Sequence, residues 1–398
     1  MQSPLIAAAE AAPTTPALVV DAETLDRNIA RMAEPARANG FNLRPHAKTH
    51  KCPQIAAKQL GAGAVGLTVA TIGEAETFAA ARAEAGAKTF AGTGADAGAA
   101  VGANADAGAA TDLFIAYPLW LDEGKQRRLA KLAAEARVSV GVDSVESARR
   151  IAGTGASVVI EIDCGHHRTG VKPADAGALA LAARELGLTV DGVFTFPGHG
   201  MAFAPKTEAA DVREQAARDQ QAGLSAAAAS LREVGVEPTV ISGGSTPTAG
   251  FAHSGEINEL RPGVYVFNDA MQVALGTCGV EDVALAAAAT VVSLPAPDRF
   301  VLDAGSKVLG ADLTAWSPGY GLLPAYPGSM VVQLSEHHAV VHLPTELPTG
   351  ITAPQHGDRV AIIPNHVCNA VNLADELVIV HEGKHVDTWP VAARGANG

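Results

Sequence analysis

The chain has 398 residues, 48% of them hydrophobic and 18% charged, and a formal net charge of -13. That length exceeds one comfortable core but suits an α/β barrel, which alone takes roughly 200–250 residues, joined to a smaller second domain. The acidic balance, with no run of Lys or Arg, argues against nucleic acid or an anionic membrane as a partner.

The opening residues MQSPLIAAAEAAPTTP lack a basic stretch leading into an apolar core, and no apolar segment is long enough to span a bilayer, so a cytoplasmic protein is expected. Cys52, Cys164, Cys278 and Cys368 are widely scattered, which speaks for free thiols rather than a disulfide framework.

In chain order, ALVVD (Ala17 to Asp21) reads as a short strand. Leu25, Ile29 and Met32 then recur at helical spacing until Gly40. Eight β-rich runs follow, each closed by polar or Gly residues: FNLRPHAK, AVGLTVAT, DLFIAYPL, VSVGVDS, SVVIEIDCG, GVFTFPGHG, TVISGGS and ELRPGVYVFND. Helical patterns such as EGKQRRLAKLAAEA (Glu123 to Ala136) and ADAGALALAARELG (Ala174 to Gly187) separate most of them. This alternation predicts a (β/α)8 TIM-type barrel, with an open doubly wound sheet as the alternative. Reactive residues fall at the C-terminal ends of the runs, the face where barrel enzymes build their sites.

After about residue 270 the texture changes to Val-rich segments without helical period: ALAAAATVVSL, RFVLDAG, MVVQLS, AVVHL, RVAIIP and ELVIVHEG. They predict a mainly antiparallel β-domain. The expected division is a tail and strand at 1–21 that joins the β-domain, a barrel at 22–270 and the β-domain at 271–398. The low-complexity Ala/Gly/Asp tract at 92–112 reads as a mobile insertion without function.

Five motifs carry chemistry. RPHAKTHKCP places Lys48 directly after a strand among cationic neighbours, as a lysine that bonds a carbonyl cofactor requires, although a solvated basic turn has the same pattern. DCGHHRTG presents Arg168 to an anionic oxygen, or leaves it on the surface. SGGSTPT supplies Ser242, Gly243, Gly244, Ser245 and Thr246 after a strand, a candidate phosphate cradle. ELRPGVYVFND brings Arg261 and Gly263, with Tyr265, toward the same group; an Arg bonded to loop carbonyls is the competing reading. PNHVCNAVNL sets His366 and Cys368 two apart in extended chain, on one side, where imidazole and thiolate can grip one ion; a buried Cys beside a packed His is the alternative.

Together, RPHAKTHK, EAE (Glu74 to Glu76), DCGHHRTG, FPGHG, SGGSTPT, ELRPG, DAGSK and PNHVCNAVNL resemble the D-serine dehydratase and D-threonine aldolase family of fold-type III pyridoxal-phosphate enzymes, in the same order from about Ala17 to Arg394. The resemblance implies an alanine-racemase-like barrel and a β-domain in a homodimer. It implies Lys48 as the residue that holds pyridoxal 5'-phosphate, Arg168 near the cofactor phenolate and Arg261 toward its pyridine nitrogen. It also implies His366 and Cys368 as ligands of a divalent metal. Zinc suits that pair, with manganese or magnesium as harder alternatives.

The insertion at 92–112 departs from the family pattern, as does FPGHG, where His199 is the candidate for the substrate hydroxyl. The implied substrates are small D-β-hydroxy amino acids. Among the outcomes dehydration leads, because His with Cys resembles the dehydratases; retro-aldol cleavage and racemisation are the enzymatic alternatives, and a cofactor-carrier protein the non-enzymatic one.

Overall fold

The computed structural model describes residues 3–91, 112–201, 206–252, 255–314 and 316–398. The expected insertion at 92–112 falls outside them, save Asp112.

The first helix, α1 (Pro4–Ala11), precedes β1 (Ala17–Asp21). The next helix, α2 (Ala22–Ala38), starts where the Asp21 carboxylate accepts the Thr24 amide at 2.9 Å, satisfying one of the orphan N–H groups of a helix start. It buries Leu25 and Ile29 and stops before Gly40, whose φ of 76° suits a residue without Cβ.

Strands then alternate with helices: β2 (Asn42–Leu43), α3 (Pro53–Gly61), β3 (Leu67–Val69), α4 (Ile72–Ala91), β4 (Asp112–Pro118), α5 (Glu123–Glu135), β5 (Arg137–Val142) and α6 (Val145–Ile151). The series continues through β6 (Ser157–Glu161), α7 (Ala176–Glu185), β7 (Val190–Phe194), α8 (Lys206–Glu233), β8 (Val240–Gly243), α9 (Thr246–Ala249), β9 (Glu259–Leu260) and α10 (Ala270–Ala274). The eight strands β2 to β9 pair in parallel in the order β2-β9-β8-β7-β6-β5-β4-β3. A parallel bridge between His46 and Thr68 brings β3 back to the chain leaving β2, which closes the barrel.

Side-chain alternation divides each strand. Leu67, Val69, Leu113, Ile115, Val158, Ile160, Val193 and Ile241 face the surrounding helices in one apolar cluster. Phe114, Val159 and Phe194 form a separate cluster inside, with the two Phe rings edge to face at 4.9 Å.

The rest of the interior is polar. Arg44 donates through Nε to Glu259 at 2.7 Å and through an Nη to Asp112 at 2.6 Å, while Ser242 Oγ donates to the other Glu259 oxygen at 2.6 Å. Burial opposes the charge on Arg44, yet Glu259 and Asp112 outweigh it and raise its pKa. Asp112, read as part of the insertion, is thus a barrel residue.

The second sheet contains β10 (Leu285–Ala296), β11 (Arg299–Leu302), β12 (Gly321–Leu322), β13 (Met330–Leu334), β14 (Ala339–His342), β15 (Arg359–Pro364), β16 (Glu376–His381) and β17 (Lys384–Pro390). Its pairings are antiparallel except for one. That exception is β1, which lies between β10 and β16, antiparallel to the first and parallel to the second. Two short helices, α11 (Ser306–Leu309) and α12 (Val367–Leu373), interrupt the strands, and α12 brings the second domain against the turn after β2. No helix among the described residues is long and apolar enough to cross a membrane.

Candidate active site

A cavity of about 230 Å³ opens at the C-terminal end of the barrel and is closed on one side by the second domain. It is smaller than the roughly 300–1,000 Å³ of pockets for drug-sized ligands, and so suits a small one. The barrel supplies Lys48, Arg168, Gly244, Ser245, Thr246, Arg261 and Gly263 to its wall; the second domain supplies His366 and Cys368. Residues more than 300 apart in sequence meet because α12 packs on the turn that follows β2.

Lys48 lies in a one-turn helix, Ala47–Thr49, and its Nζ has no hydrogen-bond or ion-pair partner among the described residues. His46 lines the same wall. Its Nδ1 is buried without a partner, and burial, then Lys48 and Arg261, hold its pKa well below the usual range, so the ring is neutral. An amine that opens onto the cavity with no partner among the described residues marks a place where a polar ligand completes the structure.

The cradle differs from the expected one. Ser242 is fully buried and is engaged with Glu259 and Arg261. The Gly243 carbonyl accepts from the Arg261 amide at 2.9 Å, and the Gly244 amide is already bonded to Gln220 at 2.6 Å. The Ser245 amide goes to Thr248 Oγ1 at 3.1 Å, and Tyr265 offers only a backbone amide, bonded to Thr246 Oγ1 at 3.1 Å.

The amides of Thr246, Gly263 and Val264, all on the cavity wall, have no acceptor among the described residues, so this is where a phosphate fits. A Cβ on Gly263 would stand 2.8 Å from Thr49 Oγ1, which explains a glycine there. Ser242, Gly243 and the Tyr265 ring therefore lie outside the cavity. The Tyr265 hydroxyl accepts from Gln59 at 3.0 Å, and burial raises its pKa.

Arg261 combines the two readings of its motif. It lines the cavity, yet its guanidinium donates to Ser242 Oγ and, at 2.6 Å, to the Thr195 carbonyl. It also lies 5.2 Å from the Phe194 ring centre and 5.6 Å from that of Phe114. Burial lowers its pKa to about 10. Arg168 reaches the cavity from the exposed side, 5.1 Å from the centre of the Phe196 ring. His199 is not part of the wall: its Nε2 is 3.2 Å from Asp219, and its ring lies against Gly165.

His366 and Cys368 face each other across the cavity edge. Burial opposes a charge on His366, but the Cys368 thiolate outweighs it and pushes the pKa up to about 10. Burial likewise disfavours the thiolate, and the His366 imidazolium holds the Cys368 pKa below its ordinary value.

The ring is oriented by a residue that motif reading missed: Asp312 accepts from His366 Nδ1 at 2.5 Å and from Asn369 at 2.7 Å. A carboxylate on one imidazole nitrogen leaves the other as electron-pair donor, the arrangement found around metal-ligating histidines. Asp269, buried and pushed up to about 6 by that burial, accepts the Val367 amide at 3.1 Å and anchors the start of α12. When an ion displaces the proton held between them, a thiolate and a neutral imidazole nitrogen suit a borderline-soft divalent metal, so the donor set fits one.

The family model "Alanine racemase, N-terminal domain" matches residues 20–270, and "Putative serine dehydratase domain" matches 284–380. A D-threonine aldolase of Arthrobacter sp is 34% identical over 96% of this chain and 93% of its own. A D-threo-3-hydroxyaspartate dehydratase of Delftia sp. (strain HT23) is 34% identical over 89% of this chain and 90% of its own. A solved structure, described as a mutant D-threo-3-hydroxyaspartate dehydratase in a metal-free form, superimposes with a TM-score of 0.78 at 30% identity, covering 95% of this chain and 97% of the other.

Proposed function

Because the chain belongs to the D-serine dehydratase and D-threonine aldolase family of fold-type III pyridoxal-phosphate lyases, we propose that it is a metal-assisted dehydratase of small D-β-hydroxy amino acids. One observation carries the reading: the unpaired Lys48 amine and the His366–Cys368 pair open onto a single cavity. That a dehydratase relative is described in a metal-free form supports a metal at that pair.

Lys48 would hold pyridoxal phosphate, with the amides of Thr246, Gly263 and Val264 on its phosphate and Arg168 and Arg261 on the cavity wall beside it. His366 and Cys368 would hold the ion, with zinc favoured by the thiolate. When bound, the cofactor supplies a conjugated electron sink and the ion a Lewis acid.

The chain's own part is to place and move protons. Lys48 stands on the wall near Cys368, where its amine can take the proton from the substrate α-carbon. The β-hydroxyl then leaves with a proton as water, and hydrolysis of the released enamine consumes one water to give a 2-oxo acid and ammonia. Retro-aldol cleavage needs a base on the β-hydroxyl instead. His199, the residue expected there, points to Asp219 and lies outside the wall, which favours dehydration.

Product analysis with D-serine, D-threonine and D-threo-3-hydroxyaspartate, with and without zinc, tests this. A 2-oxo acid with ammonia is expected; glycine with an aldehyde overturns it in favour of the aldolase. Lys48→Ala should lose cofactor trapped by borohydride along with turnover, and a variant that keeps both removes Lys48 from the site.

We also infer a homodimer. Trp120, just past β4, and Leu313, beside Asp312, are 61% and 50% exposed, apolar surface that a second subunit would cover. Sedimentation at assay concentration should give twice the chain mass; a monomer contradicts it.

A further inference from the structure

Lys51 follows Lys48 by one helical turn, but its side chain turns away from the cavity and only 6% of it is exposed. The backbone at Lys51 is left-handed, with φ of 51°, and its carbonyl accepts the Ala393 amide at 3.1 Å. A buried ammonium needs partners. Nζ has Glu74 Oε1 at 3.3 Å and Asn372 Oδ1 at 2.6 Å, with Asn397 Oδ1 farther off at 3.4 Å. Glu74 is itself fixed, its other oxygen accepting the Ala70 amide at 2.7 Å.

Asn372 stands four residues after Cys368 on α12, hence on the same helix face. Along that face the helix therefore touches the Lys48 turn twice: Cys368 Sγ is 3.3 Å from Thr49 Oγ1, and Asn372 meets Lys51. Thr49 ends the turn that carries Lys48 and Lys51 follows it by two residues, while Cys368 and Asn372 belong to the domain that carries the proposed metal ligands.

We propose that Lys51 is a positioning residue that, through Asn372, sets the register of the metal-bearing helix against the Lys48 turn. The two halves of the site come from different domains; the Val367 amide on Asp269 fixes the start of the helix, and the Asn372–Lys51 contact fixes its far end against the Lys48 turn. The inference rests on the reading that His366 and Cys368 hold a metal.

Asn372→Ala, made in the full-length holoenzyme, is the test, because it leaves the Lys51–Glu74 pair in place, whereas removing Lys51 would strand a buried carboxylate. Zinc content against increasing chelator, borohydride-trapped cofactor, melting temperature, kcat and KM are measured together. Zinc should be lost at about tenfold lower chelator, the scale seen for residues that support metal ligands. In parallel kcat should fall, with trapped cofactor, KM and melting temperature retained. Asn372→Asp, which keeps an oxygen facing Nζ, should restore zinc retention and kcat.

Parental zinc retention and kcat in Asn372→Ala overturn the inference, as does loss of cofactor and melting temperature in step with zinc, or an Asn372→Asp variant that rescues nothing. If the parent protein itself retains no zinc and traps no cofactor, the functional reading fails and this inference falls with it. If the parent does both and Asn372→Ala matches it, the inference alone fails.

Discussion

Asp312 shows what a single carboxylate can do for a site it never enters. By taking His366 Nδ1 at 2.5 Å it fixes both the tautomer and the direction of the ring. Asp312→Asn keeps the shape but loses the charge, and metal retention should weaken by about 10–100-fold. Chelator titration of zinc content reads this, and because the side chain is 34% exposed the far-UV spectrum should be unchanged.

Lys48, His366 and Cys368, which the structure brings to one cavity, stand out as candidates because each sits in a short motif following a strand, where local spacing is informative. Asp312 does not, since it lies 54 residues before its partner and in no recognisable pattern. Ser242 was misplaced for a different reason. A hydroxyl after a strand suggests a phosphate cradle, but its pleat parity turns it into the barrel interior, toward Glu259 and Arg261.

At the scale of elements, the eight β-rich runs coincide with the eight barrel strands, even where, as in β2 and β9, only two residues form the strand. The runs were visible because buried parallel strands read as apolar blocks between turn residues. The final strand β17 escaped because its sequence KHVDTWP is mostly exposed and carries no apolar face.

Sequence pattern also gave no hint that the barrel interior is charged. There, Glu259 bridges Arg44 directly and Arg261 through Ser242, so one carboxylate serves two buried guanidinium groups. Removing one partner of a buried pair typically costs about 3–5 kcal/mol. Glu259→Leu should therefore lower unfolding free energy by that order, measured by denaturant titration. It should also disturb Arg261 at the cavity.

For the molecule as a whole, acid stability follows from buried imidazoles. His50 donates through Nε2 to Gln59 Oε1 at 3.2 Å, and Gln59 Nε2 donates to the Tyr265 hydroxyl, so this chain ties the Lys48 turn to the segment after β9. Burial lowers the His50 pKa to about 4 from 6.5. The unfolded chain binds a proton below about pH 6.5 that the folded protein refuses, so stability is full above that pH and falls as the pH drops toward about 4. The loss attributable to His50 is on the order of 3 kcal/mol. Urea titrations from pH 7.5 to 4 should show the decline, and an imidazole resonance that titrates normally near pH 6.5 at His50 would contradict it.

The position of β1 has a consequence for how the polypeptide is made. This early segment, with Val19 and Val20 wholly enclosed, pairs as a strand with β10 and β16 among the described residues, so it emerges from the ribosome long before either of them exists. At roughly 5–20 residues per second of synthesis, the wait is on the order of tens of seconds. Throughout that interval a sticky, β-prone ribbon hangs beside a maturing barrel, which makes the nascent chain a natural client for chaperones and its last hundred residues the step that commits it to the native state.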